Sequence, residues 1–354
     1  MNREIRSLTG IRGIAACWVV ACHWSGDELS GLARDVALHG YVAVDLFMVL
    51  SGFVLAMTYA DGGRGGYRYF VWQRFCRLYP LYAVTTLVCL TGDAWSGTGL
   101  FAPGGGPVLP ALISNLLMTT THVWEVDAID GPSWSVSVEF TLNLFFPLFV
   151  LLCIRLSRRQ SVAVAILCAA ALILVSVLNH RLDGGAPGEL GTLDVRLMYL
   201  RCGPEFALGM LCWRVWRQAP RAAVLGRTAW LAAIVAAMLA MTPFKALDLP
   251  FAAACCLLVT GLASERSVIA RILGSRIPHW LGTISFSLYL WHAAFAPMRP
   301  ALLAVLPLAD PGVARMAANS VALAAVLAFS TLSFYYFEIP SRRWLRGRFA
   351  ARPA

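Results

Sequence analysis

Apolar residues run through this chain in long blocks rather than in the short alternation of half-buried strands. Stretches rich in arginine, glycine and proline separate the blocks. Ten segments read as membrane-crossing helices: 8–24, 40–60, 75–92, 133–154, 162–179, 195–213, 228–242, 249–263, 279–297 and 316–337. Segments 75–92, 228–242 and 249–263 are short or interrupted, whereas 162–179 carries no charge at all. The pattern predicts an all-α protein, a polytopic membrane helix bundle of about ten transmembrane helices, with a single membrane domain over 1–346 and a short basic tail at 347–354. The first block is expected to be a retained span, because it contains Arg12 and His23 and lacks a small-residue cleavage site. The longest connection, 93–132, is rich in glycine and proline, and its middle, 109–118, is apolar enough to lie on the membrane or re-enter it. That connection is read as a lid, a docking surface or a plain structured loop.

Composition agrees with a membrane class. Of 354 residues, 59% are hydrophobic and 14% charged, against about 25% charged in a soluble protein. The net charge of +10 would suit nucleic acid, but the arginines explain it without one, because they gather in alternate connections. With the N-terminus inside, Arg3, Arg6, Arg64, Arg68, Arg155, Arg158, Arg159, Arg214, Arg217, Arg266, Arg271, Arg342 and Arg343 all fall on the cytoplasmic side. Both termini are therefore expected to be cytoplasmic. The ten cysteines lie in or beside apolar segments with no CxxC pair, which reads as small buried hydrophobes, so no metal site is expected.

Ionisable residues inside apolar segments are costly and point to function. Arg12 and His23 are separated by ten residues of one helix, about 16 Å at ~1.5 Å rise per residue, and within about 20° of each other around its axis. Near the cytoplasmic boundary Arg12 is joined by Arg74 and Arg77, three apart on one helical face, with Pro80 read as tolerated in a first turn. Three guanidiniums there suit a polyanion, although ordinary membrane anchoring accounts for Arg74 or Arg77 taken alone. The outer half holds His23, Asp45, Glu139 and His292, at similar depth on four different spans. A carboxylate beside an imidazole fixes its tautomer and raises its basicity, as a general base requires. Ser135 lies four residues before Glu139 and is expected to hydrogen-bond to it or orient it. Each group also has a plainer explanation: His292 as an interfacial ring, Asp45 as the partner of a neighbouring helix, and Arg201 with Glu205 as a structural ion pair, while Arg196 lies on the same segment.

At these residues the chain resembles the acyltransferase-3 family of bacterial integral membrane O-acyltransferases. Its Arg-x10-His signature is similar to Arg12–His23. The Val-Asp-Leu-Phe-x-Val-Leu-Ser-Gly-Phe block stands at 44–53, and Arg74 and Arg77 before Pro80 match an Arg-x-x-Arg motif. Ser135 to Glu139 matches Ser-x-x-x-Glu, Ser-x-Ser-Leu-Tyr-Leu-Trp-His lies at 285–292 and contains Tyr289, and Phe-Glu-x-Pro-x-Arg-Arg-Trp closes at 337–344. Two departures stand out. Phe140 occupies a place where relatives commonly carry a second acidic residue, and the chain as read stops after the last span, without the hydrolase-like C-terminal domain of some relatives.

The resemblance implies an acyl-CoA donor, most simply acetyl-CoA, taken from the cytoplasmic side as a substrate, with no permanently bound cofactor. Arg12, Arg74 and Arg77 would hold its phosphates, and His23, oriented by Asp45 or Glu139, would deprotonate an acceptor hydroxyl. The acceptor it implies is a cell-surface or exported polysaccharide or a lipid-linked glycan precursor, with a polysaccharide-biosynthesis complex as a candidate partner. The same chemistry on a small secreted molecule, such as a macrolide or lipo-oligosaccharide, fits equally. From other classes, a glycan transporter or flippase and a structural subunit of a synthase complex would use the same buried charges differently.

Overall fold

The computed structural model describes residues 4–24, 29–59, 66–102, 105–120, 128–182, 184–191, 195–218, 224–305 and 310–350. Among these residues the secondary structure is helical throughout, with no strand. The helices are α1 (Arg6–Trp24), α2 (Gly31–Leu38), α3 (Ala43–Tyr59), α4 (Gly66–Ser96), α5 (Val108–Leu116), α6 (Trp134–Arg155), α7 (Arg158–Leu182) and α8 (Val195–Gln218). They continue with α9 (Thr228–Met241), α10 (Asp248–Leu262), α11 (Val268–Leu273), α12 (Arg276–Phe295), α13 (Met298–Val305), α14 (Pro311–Ser333) and α15 (Ile339–Ala350).

Every one of the ten expected segments is helical over most of its described length. Six helical stretches are long and apolar enough to cross a membrane: Gly31–Tyr59, Gly66–Phe101, Gly131–Val150, Arg158–Leu182, Lys245–Leu262 and Gly312–Arg348. α9 is apolar but shorter. The expected spans that fall outside this set on polarity, α1, α8 and α12, carry Arg12 and His23, Arg201 and Glu205, and Tyr289 and His292. The groups that suggest chemistry are the same groups that lower a helix's apolarity.

α4 begins nine residues earlier than the apolar pattern indicates, at Gly66, so Pro80 lies in the helix interior and not in a first turn. A proline there removes one backbone hydrogen bond, which a membrane helix tolerates where neighbours re-satisfy the freed carbonyl. Pro147 in α6 and Pro204 in α8 are interior as well. The expected apolar stretch of the long connection is α5. Leu109, Ile113 and Leu117 form an exposed ridge along it, and Ala111, Ser114 and Asn115 face inward. That amphipathic arrangement suits a helix lying at the membrane surface. Residues 121–127 of the connection lie outside the described residues.

The described residues cluster into two compact units, the first drawn from Met1–Cys22, Ser30–Arg64 and Leu142–Thr283, the second from His23–Leu29, Gly65–Thr141 and Ile284–Ala354. In the first unit α3 is the centre, buried on nearly all sides, with α8 and α10 packed on it. Glycines set the closeness of its crossings. A Cβ at Gly52 would overlap the Phe206 carbonyl oxygen, and one at Gly209 would overlap that of Val49. Small residues that let backbones approach are how helices gain contact where lipid removes the hydrophobic drive. Gly209→Ala is expected to separate α3 from α8 and lower the apparent Tm in detergent, a shift that a thermal unfolding series would read directly. In the second unit α4 packs with α15, where the Trp72 indole N–H donates to the Leu345 carbonyl (3.2 Å), and α13 packs with α14. A π-helical turn, Phe334–Glu338, joins α14 to α15. Such turns occur often at functional sites because they re-aim side chains.

Candidate functional site

In the second unit the last turn of α1 delivers His23, and the last turn of α12 delivers His292. Their rings stack with centroids 5.0 Å apart and an interplanar angle of 28°. The His292 Nε2 lies 3.0 Å from the His23 Nδ1, and the His292 Nδ1 lies 2.7 Å from the Tyr289 carbonyl. A carbonyl only accepts, so the His292 Nδ1 carries a hydrogen. In the neutral ring Nε2 then bears the lone pair and accepts from the His23 Nδ1–H. The network therefore assigns the His23 lone pair to Nε2. His292 is buried and His23 is exposed, so the outer ring is accessible and the inner one fixes it. The group on the His23 Nδ1 is thus a second imidazole, where a carboxylate was expected.

Next to this pair, the Ser135 hydroxyl lies 2.7 Å from the Tyr289 hydroxyl, and the Tyr289 and Ser135 hydroxyls reach the Pro132 carbonyl at 3.1 Å and 3.2 Å. Ser135 therefore spends its hydrogen bonds on Tyr289 and Pro132, not on Glu139. The Tyr289 and His292 rings meet edge-on at 6.0 Å between centroids. Glu139 instead receives a hydrogen bond from the Arg74 Nη2 at 2.7 Å, which joins a residue expected to be catalytic to one expected to bind phosphate. Arg77, one turn along α4, is half-buried and lies within the electrostatic reach of Arg342, which also feels Arg346. Arg342 donates to Glu338, and Glu338 accepts from the Ser287 hydroxyl at 2.9 Å. Arg342 and Arg346 were not singled out from sequence. The signal for Arg342 was the closing Phe-Glu-x-Pro-x-Arg-Arg-Trp block, with Arg346 two residues beyond it, and no local spacing reveals their partners in space.

The first unit holds the remaining candidates. The Arg12 Nη2 donates to the Gly282 carbonyl at 3.0 Å. Nearby, burial opposes ionisation of Glu4, yet hydrogen bonds from Thr9 and His279 and the charges of His279 and Arg12 hold its carboxyl below the ordinary value. Asp45 is fully buried and accepts from the Arg201 Nε at 2.8 Å and its Nη2 at 2.5 Å, with Glu205 3.9 Å from the same guanidinium. Asp45 thus joins the Arg201–Glu205 pair that sequence reasoning had treated separately from it. A second buried network, absent from the sequence reading, ties Asp248 to His39 (2.5 Å), the Tyr41 hydroxyl (2.9 Å) and the Leu190 N–H (2.8 Å). Both Asp248 oxygens are occupied there, so this network serves structure.

The family model for an acyltransferase domain, acyltransferase 3, matches residues 5–339. The chain belongs to the acyltransferase-3 family. It is a multi-pass membrane acyltransferase of that family. Acyltransferase MdmB of Streptomyces mycarofaciens is 31% identical, over 82% of this chain and 78% of that protein. Peptidoglycan O-acetyltransferase OatA of Listeria monocytogenes is 23% identical over 97% of this chain, and the chain spans 56% of its length. A putative membrane-bound transacylase of Komagataeibacter xylinus, BcsY, is 27% identical over 82% of this chain and 72% of that protein. No solved structure matches.

Proposed function

We propose that this acyltransferase transfers an acyl group, most simply acetyl, from acyl-CoA to a hydroxyl of a cell-surface or exported glycan or its lipid-linked precursor. The observation that carries the reading is the His23–His292 pair, which leaves the Nε2 lone pair on an accessible imidazole. His23 Nε2 takes the proton of the acceptor hydroxyl as its oxygen attacks the thioester carbonyl. Collapse of the tetrahedral intermediate breaks the C–S bond, and the departing thiolate takes the proton back from the imidazolium. The Ser135 and Tyr289 hydroxyls, bonded to each other and to the Pro132 carbonyl, hold the Tyr289–His292 turn of α12 in place behind the base.

Arg77, Arg342 and Arg346 are the groups that would pair with the donor's phosphates, since they mass three guanidiniums against one carboxylate, Glu338. Arg77→Gln is expected to raise the donor KM about tenfold with kcat little changed, as loss of a charge-assisted contact does. The alternation of arginine-rich connections supports a bacterial inner-membrane location with both termini cytoplasmic. A relative named as a peptidoglycan O-acetyltransferase supports a glycan acceptor. The deciding experiment is acetyl-CoA turnover by the purified protein in nanodiscs, read as free CoA and as acetyl groups on oligosaccharides. Acetyl incorporation by the wild type and none by His23→Ala supports the reading. Export of a glycan that continues to depend on the protein when no acyl group is transferred would favour a transporter.

A further inference from the structure

Inside the second unit, one stripe of α4 is polar where a bundle helix is ordinarily apolar. Tyr82, Thr85, Thr86 and Cys89 recur at helical spacing, and the first three are fully buried. They face the entry to α6. The Tyr82 hydroxyl meets the Ser137 hydroxyl at 3.2 Å, and Thr120 donates to the same oxygen at 3.3 Å. Tyr82 and Cys89 both lie close enough to Asp130 to feel its charge.

Asp130 stands at the N-cap of the turn Gly131–Ser133, where an aspartate usually caps with its side chain. Here the Ser133 N–H bonds instead to the Asp130 backbone carbonyl (2.7 Å), and the carboxyl turns inward with no exposure. Neither carboxyl oxygen has a hydrogen-bond partner among the described residues. The neighbouring Thr85 hydroxyl donates to the Tyr82 carbonyl at 3.1 Å and also lies close enough to the Asp130 carboxyl to favour its ionised form. The Ser133 Oγ and Thr86 Oγ1, both fully buried, make no hydrogen bond of normal geometry among the described residues, although the Tyr82 hydroxyl lies close to Ser133. Burial pushes the Asp130 carboxyl up to about 7. One seam thus gathers four buried oxygens that lack a well-formed hydrogen bond among the described residues, each of which costs stability unless something completes it.

We infer that this seam of Asp130, Ser133, Thr86 and the Tyr82–Ser137 pair is a binding site for a vicinal diol of a saccharide. The donor balance selects the class. A carboxyl whose two oxygens lack well-formed bonds accepts two neighbouring O–H groups, the Thr86 and Ser133 hydroxyls can both donate and accept, and an anion would be repelled. A metal ion fits poorly, because no group of three His, Cys, Asp or Glu side chains occurs among the described residues. The inference deepens the proposed glycan acylation and rests on it for biological meaning, because Asp130 lies two residues before Pro132, whose carbonyl holds Ser135 and Tyr289.

The test omits the donor. Binding of chitotetraose and cellotetraose to the protein in nanodiscs is measured by calorimetry and thermal shift for the wild type, Asp130→Asn and Thr86→Val. One tetrasaccharide is expected to bind the wild type, about 10- to 100-fold more weakly to Asp130→Asn and several-fold more weakly to Thr86→Val. Thr86→Val removes a buried polar atom and Asp130→Asn removes a buried ionisable charge, so both are expected to keep or raise the saccharide-free Tm, a combination that loss of a purely structural group does not produce. Thr86→Val keeps the side-chain shape and carries the test should Asp130→Asn not fold. Unchanged binding in the variants, or no binding to the wild type, would overturn the inference and leave the seam to ordered water. Acyl transfer measured alongside separates the two ideas: a wild type that binds saccharide but never acylates it sinks the acyltransferase chemistry and leaves the saccharide site standing.

Discussion

His23→Ala is expected to slow acyl transfer by about 10²- to 10⁴-fold, the range a positioned general base supplies, while the donor still binds. The loss should appear in kcat and in kcat/KM alike, because the proton moves only as the transition state forms. His292 does not itself take that proton. It holds the His23 Nδ1–H through its own Nε2 and is in turn fixed by the Tyr289 carbonyl. His292→Ala should therefore cost less than His23→Ala and should displace the acidic limb of the pH–rate profile, since the base loses the partner that sets its tautomer. Steady-state kinetics of both variants from pH 5.5 to 9 would separate these roles. Equal losses with an unmoved profile would make His292 a packing residue. Full activity in His23→Ala would remove the imidazole from the chemistry.

The largest effect on stability is expected from Arg201→Met. Arg201 is 3% exposed and Asp45 and Glu205 are 0% exposed, so the substitution leaves two carboxyls in the interior of the first unit with no cation. Removing one partner of a buried ion pair costs about 3 to 5 kcal/mol, because the remaining charge keeps its desolvation penalty and loses its attraction. The variant should unfold well below the wild type in a thermal series or fail to accumulate in the membrane. Adding Asp45→Asn should restore much of the loss, since it removes the carboxylate that the guanidinium binds most closely. A stable but inactive Arg201→Met would instead place the triad in the reaction.

What could be read along one helix was legible without the structure. The all-α membrane class follows from unbroken apolar blocks. The Arg12–His23 relation follows from helix geometry, and both residues lie on α1. Arg201 with Glu205 is another such case, being four apart. The sequence also places His23, Asp45, Glu139 and His292 in one layer and Arg74 in another, yet the Arg74–Glu139 bond joins the two layers, and depth along a helix says nothing about which helices turn toward each other. That lateral choice depends on rotation and close approach, set by contacts such as those at Gly52 and Gly209. It paired His23 with His292 across 269 residues of sequence, Glu139 with Arg74 across 65 and Asp45 with Arg201 across 156.

Asp130 shows the same limit from the other side. In sequence it is an ordinary loop aspartate before Gly-Pro-Ser, with the composition of a helix cap. Only the tertiary structure reveals that its carboxyl turns away from the cap and into a buried polar seam. The sequence by itself determined the class of protein and most of its helices, because those depend on local hydrophobicity and periodicity. The tertiary structure alone decided which group meets which, because pairing between helices is settled by packing that no single helix encodes.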